Sequence, residues 1–151
     1  MTKDVLVAIS GLQIADADAD KDAQPIEVIN SGEYYLKNGK HYIVFDEVME
    51  GFEGVTRNRI KIDDDYLELK KNGVSNVHMV FEKNKKNLTC YETPFGSLML
   101  GIHANRFEFE ESEQKITLDV DYSLDINYQN FADCRIQISV TSKTEGAFSL
   151  S

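Results

Sequence analysis

The chain predicts an all-β fold, a single antiparallel barrel or sandwich of about eight to ten strands. Three observations carry this. Ile116, Leu118, Val120, Tyr122, Leu124, Ile126 and Tyr128 alternate strictly with Thr117, Asp119, Asp121, Ser123, Asp125 and Asn127, the period-2 signature of a half-buried strand. Asn38-Gly39 and Asn72-Gly73 supply residues that tolerate the positive φ of tight hairpin turns. No segment holds a 3.6-residue apolar period long enough to predict a helix.

Taken in order, Val5 to Ile14 alternates as a first strand, with Gly11 placed for a bulge. Ile26 to Leu36 forms a second strand, which the Asn38-Gly39 turn connects to a third at His41 to Val48. Glu50-Gly51-Phe52-Glu53-Gly54 connects this to Val55–Ile62, and Asp63-Asp64-Asp65 turns the chain into Tyr66–Lys70. Val74 to Phe81 follows the Asn72-Gly73 signal, and Lys83-Asn84-Lys85-Lys86 makes the next turn. Leu88 to Thr93 then meets a sharp corner at Pro94 and Gly96, beyond which Ser97 to Phe109 continues. Pro94 fixes its own φ and pushes Thr93 towards an extended conformation, while Gly96 can take positive φ. The long alternating run from Ile116 to Tyr128 has the length of a barrel stave. Ile136, Ile138 and Val140 give the last strand the same pattern. Residues 1–141 form one domain in this reading, and 142–151 a tail with little to bury, expected to fray.

Composition agrees with a single globular domain. At 151 residues with 42% hydrophobic and 28% charged content, the chain can bury a core without disulfides or metals. The net charge of -10 argues against nucleic acid or an anionic membrane as partner, since both require a basic surface. Val5-Leu6-Val7-Ala8-Ile9 is too short for a signal peptide, and no run approaches the ~18 apolar residues of a membrane span. The two cysteines, Cys90 and Cys134, lack C-x-x-C spacing and suit buried thiols in a reducing cytoplasm.

The corner and its flanks carry a resemblance. Ser31-Gly32-Glu33-Tyr34-Tyr35, Lys71-Asn72-Gly73, Met79-Val80-Phe81 and Tyr91-Glu92-Thr93-Pro94-Phe95-Gly96-Ser97-Leu98 occur in that order. Together, from about Val5 to Val140, the chain resembles the YwiB-like family of uncharacterised bacterial proteins. The resemblance implies a calycin-like (lipocalin-like) antiparallel barrel in a cytoplasmic protein and implies no activity. Lys71 stands where the family favours Arg, and Asn84 where it favours Gly. Asn tolerates the left-handed conformation, but Lys cannot reproduce a bidentate Arg contact.

Candidate chemistry is sparse. Asp16, Asp18, Asp20, Asp22, Gln24 and Glu27 fall at the 1, 3, 5, 7, 9 and 12 spacing of a calcium loop. Lys21 at the turn position, Pro25 and flanking strands favour a solvated loop instead, so no metal is expected there. His41, His78 and His103 lie on three strands without metal-ligand spacing. No Gly-x-Ser-x-Gly, phosphate loop or Gly-x-Gly-x-x-Gly is present, so no catalytic residue or cofactor is identified. Arg57, Arg59 and Lys61 share one strand face, either a cationic lumen or, more commonly, a solvated face paired with acids. Tyr91 and Thr93 share a parity beside the corner; they either orient a ligand or pack and tie the turn. The expected function is a non-enzymatic barrel taking a small amphipathic or apolar ligand, with Tyr91, Thr93, Arg57 and Arg59 as candidate ligand-binding residues. The competing expectation is a filled barrel acting through protein contacts, among them those of a homodimer. Whether Tyr91 and Thr93 face a cavity or a packed core separates the two.

Overall fold

In the computed structural model, residues 1–11, 27–48, 54–73, 76–93 and 96–143 are described. They form ten antiparallel strands in one nearly closed, barrel-shaped sheet, with no helix among them. The strands are β1 (Asp4–Ser10), β2 (Glu27–Lys37), β3 (Lys40–Val48), β4 (Val55–Asp63), β5 (Tyr66–Asn72), β6 (Val77–Glu82), β7 (Lys86–Thr93), β8 (Gly96–Glu111), β9 (Lys115–Ile126) and β10 (Gln129–Ser142). Their spatial order is β6-β5-β4-β3-β2-β1-β10-β9-β8-β7. The sheet curls until its two outer strands meet. Asn76 and Glu92 exchange backbone hydrogen bonds of 3.0 and 2.9 Å across that seam, and Asn84 N–H donates to the Ala104 carbonyl at 2.9 Å. Between these points the Asn87 amide reaches the Val80 carbonyl at 3.4 Å.

Alternation decides what is buried. Val5 and Val7, Ile43 and Phe45, Ile60 and Ile62, Leu67 and Leu69, and Val77, Met79 and Phe81 point inward from β1, β3, β4, β5 and β6. Leu100, Ile102, Val120, Tyr122, Leu124, Ile136 and Ile138 meet them from the other side. Mid-barrel, Phe81 and Tyr122 pack edge to face with centroids 4.9 Å apart, the arrangement their quadrupoles favour. Burial pushes the Tyr122 hydroxyl well above its ordinary range, helped by Cys134 beside it. The outer faces carry the charge. Arg135 grips Asp119 through both Nε (2.8 Å) and Nη2 (2.6 Å), and Arg106 bridges Asp121 at 2.7 Å and Asp119 at 3.0 Å.

Turn chemistry follows the sequence in most places. Asn38 (φ 54°) and Gly39 (φ 76°) make the expected hairpin turn, and Asn84 (φ 63°) uses the left-handed freedom that Asn permits. One expectation is corrected. The alternating run does not continue through Tyr128: β9 ends at Ile126, and Asn127 (φ 50°) and Tyr128 (φ 68°) form a further tight hairpin into β10. Tyr128 is therefore exposed at a turn and not on the inner face. Asn127 makes this possible by bonding Met99 through both its backbone N–H (2.8 Å) and its side-chain oxygen (3.0 Å).

One pairing is incomplete. β2 and β3 pair only from Lys37↔Lys40 to Glu33↔Val44. Beyond that point Glu27–Gly32 stays on β1, and Phe45–Val48 stays on β4. The two strands part at Gly32, where a Cβ would meet the Val44 carbonyl oxygen at 3.0 Å.

Candidate ligand site at one mouth of the barrel

The two ends of the barrel differ. At the end of the β2–β3 and β8–β9 hairpins, His41 is buried from β3 and plugs the opening. The Tyr34 hydroxyl and His41 Nδ1 are hydrogen-bonded at 2.6 Å. On the far side of the ring, Nε2 lies 3.4 Å from Glu111. Phe109 closes over the imidazole at a centroid distance of 5.9 Å. Desolvation, with the Glu111 charge adding to it, raises the Tyr34 hydroxyl above its ordinary pKa, so it stays neutral. This end is sealed by side chains that satisfy one another.

The opposite end holds a pocket of about 150 Å³. Ile9, Val28, Phe45, Ile60 and Leu69 supply its apolar wall. Six polar residues border it: Asn30, Glu47, Asn58, Arg59, Lys70 and Lys71. Of these, Asn30, Glu47, Asn58 and Lys71 sit at inward positions of strands β2 to β5, while Arg59 and Lys70 have the outward parity. Lys71 Nζ donates to Glu47 Oε1 at 3.1 Å, and both side chains keep about a quarter of their surface exposed. Asn58 is buried and donates to the Thr56 carbonyl at 3.4 Å. Beneath it, the Thr56 hydroxyl is buried and has no hydrogen-bond partner. Gly73 lets the chain press against this residue: with φ +149°, a Cβ there would stand 2.6 Å from the Val55 carbonyl oxygen. An apolar wall meeting a few convergent polar groups is the usual anatomy of a small-ligand site.

Of the residues singled out from sequence, Arg59 borders this pocket, while Tyr91 and Arg57 do not line it. Tyr91 faces inward from β7 and packs, half-buried, against the core. The side chain of Thr93 lies outside the described residues, as do Pro94 and Phe95. Arg57 and Arg59 alternate with the buried Thr56, Asn58 and Ile60, so both lie on the outer face of β4. Arg57 pairs there with Asp46 at 3.1 Å. Arg59 pairs with Glu68 at 3.3 Å, although its Nε is buried without a partner. Burial alone would lift the Glu68 pKa, but His78, Tyr66 and Arg59 around it hold the carboxyl below its usual range. Tyr66, desolvated beside that carboxylate, is pushed up to about 12. The cationic strand face is thus the solvated, paired one, and Tyr91 is not brought to it.

The histidines do not converge. His41 is in the closed mouth, His78 bonds Glu68 at 2.7 Å on the outer face, and His103 bonds Asn105 at 2.8 Å. Among the described residues no group of His, Cys, Asp and Glu is arranged to hold a metal. The calcium-spaced Asp16, Asp18, Asp20, Asp22 and Gln24 lie outside the described residues. Cys90 is exposed and Cys134 half-buried, both as free thiols. Among the described residues no helix is long and apolar enough to cross a membrane.

Sequence reasoning missed Glu47, Asn58 and Lys71, although a signal was there. Glu47 shares the parity of Ile43 and Phe45, Asn58 that of Ile60 and Ile62, and Lys71 that of Leu67 and Leu69. A polar residue at an inward strand position needs a partner or a ligand.

Residues 7–138 match the family described as Domain of unknown function (DUF1934). No curated protein matches the chain. Among solved structures the chain is similar to that described as the crystal structure of ywiB protein from Bacillus subtilis. The TM-score is 0.73 with 17% sequence identity, over 94% of this chain and 93% of that one. At that identity the likeness speaks for the barrel fold.

Proposed function

The chain belongs to the DUF1934 family of domains of unknown function, and from that footing we propose that it is a binding protein for a small amphipathic ligand. The ligand sits at the mouth between β2 and β5, not in an open central lumen. The observation that supports this is the 150 Å³ pocket, where a half-buried Glu47–Lys71 pair and the Asn58 amide face an apolar wall. An apolar cavity of about this size holds a single aromatic ring, so the ligand's apolar part is a ring or a short branched chain. Its polar part meets Asn30, Asn58 and the ion pair. Lys71 offers a single ammonium contact to Glu47, which suits the Lys at this position.

The test is an NMR titration with indole, phenol and hexanoate, following the methyl groups of Ile9, Ile60 and Leu69. Saturable shifts at these methyls are expected, and their loss in Val28→Trp, which fills the pocket from its exposed rim. No methyl shift with any probe, or equal shifts in the variant, would overturn the proposal.

The packed Phe81–Tyr122 centre favours a second reading, a filled barrel that works through protein contacts. Native mass spectrometry of freshly purified protein separates the two: a retained small molecule supports the first, a dimer without one the second.

A further inference from the structure

We propose that the ligand is peptidic: an extended segment docks in the split between β2 and β3 and places alternate side chains in the mouth pocket. This rests on the pocket being a binding site and adds the class of molecule it takes.

The argument starts from backbone pairing. Tyr34 N–H donates to the Lys3 carbonyl at 2.7 Å, so even-numbered residues of β2 turn their backbone groups towards β1. In an antiparallel ladder these groups alternate in direction, so odd-numbered residues turn towards β3. Glu33 finds its partner in Val44. Continuing that register would set Ser31 opposite Asp46 and Ile29 opposite Val48. These pairs do not form: among the described residues, pairing with β3 ends at Glu33. Two rows of backbone donors and acceptors therefore face one another across the split. Only another extended backbone presents the matching rows, antiparallel to one strand and parallel to the other. Strand addition to an open edge is a general recognition mode, with main-chain bonds giving affinity and alternate side chains giving specificity.

The flanks of the split fit alternate side chains. On its inner side Val28 and Phe45 lead into the mouth pocket. On its outer side a groove of about 610 Å³ is lined by Ser31, Glu33 and Asp46. Asp46 is paired with Arg57 in that groove, and Lys143 bonds Ser31, so Asp4 and Glu33 are the carboxylates that a basic side chain would meet. Apolar side chains inward and basic side chains outward are therefore complementary, and the net charge of -10 steers a basic segment towards the protein. The exposed Ile29, Val48 and Val55 border the same opening.

The probe is a blocked hexapeptide of alternating valine and lysine. Titration should slow amide hydrogen exchange at Ile29, Ser31 and Val48 and shift the Ile60 and Leu69 methyls together. Methylating alternate amide nitrogens of the peptide removes its donors towards one strand and should weaken binding at least tenfold. Equal affinity of the methylated peptide, or binding without protection at these amides, would overturn the inference by reducing it to charge attraction. Indole is the separate arm. If indole enters the pocket and the hexapeptide does not bind, the peptide falls and the small-molecule site stands; if neither binds, both fall.

Discussion

The Tyr34 hydroxyl and His41 Nδ1, on paired strands, lie 2.6 Å apart and close one mouth of the barrel. Because His41 is buried, removing the hydroxyl leaves its ring nitrogen without a partner, which costs about 1 kcal/mol. Tyr34→Phe should lower stability by that amount in urea denaturation. In a His41→Leu background the same change should cost close to nothing, since the interaction is already gone.

Asp119 is held down at about 2, chiefly by the bidentate Arg135 contact and further by Arg106. A carboxyl whose folded-state pKa is depressed stabilises the protein above the ordinary carboxylate range, and that contribution is lost as pH falls towards 2. Because the network lies on the outer face, solvent screening limits its worth to about 1 kcal/mol. Asp119→Asn should be less stable than the parent by that margin at pH 7. The difference should shrink steadily below pH 4 in denaturation curves taken across the range.

Phe81 fills the barrel centre against Tyr122. Phe81→Leu keeps the site apolar but loses ring contacts, at about 1–2 kcal/mol. Urea denaturation should show a lower midpoint with unchanged slope, because the surface exposed on unfolding stays the same.

Tyr128 occupies the second position of the β9–β10 turn with φ 68°, where a side chain costs about 1 kcal/mol relative to glycine. Tyr128→Gly should therefore raise the thermal midpoint by a few degrees. A drop would mean that the exposed ring makes stabilising contacts.

Most of the fold was legible because nearly every strand is buried on one face, and burial of one face writes period 2 into the sequence. The β9–β10 turn was not, because Asn127-Tyr128 continues the alternation while its backbone reverses. The turn is held by bonds from Asn127 to Met99, 28 residues away. The site was hidden for a related reason. Glu47 and Lys71 are 24 residues apart and meet through the register of β3, β4 and β5. The cations that do stand out in sequence, Arg57 and Arg59, are prominent because they alternate with buried residues, which is what puts them outside. The Tyr91 corner joins strands and contributes a core side chain, with Thr93 beyond the described residues.

The first strand lies between β2 and the last strand, with Val5 opposite both Gly32 and Ser142. During synthesis β1 emerges early, yet one of its edges waits for residues 137–142 before it is covered. The barrel cannot close until residues 137–142 are available, and the loop to be closed runs from Ser10 to Gln137. Folding dominated by such distant pairings is slow, on the order of milliseconds to seconds. The interval in which β1 offers a bare apolar edge is when this protein is most exposed to aggregation.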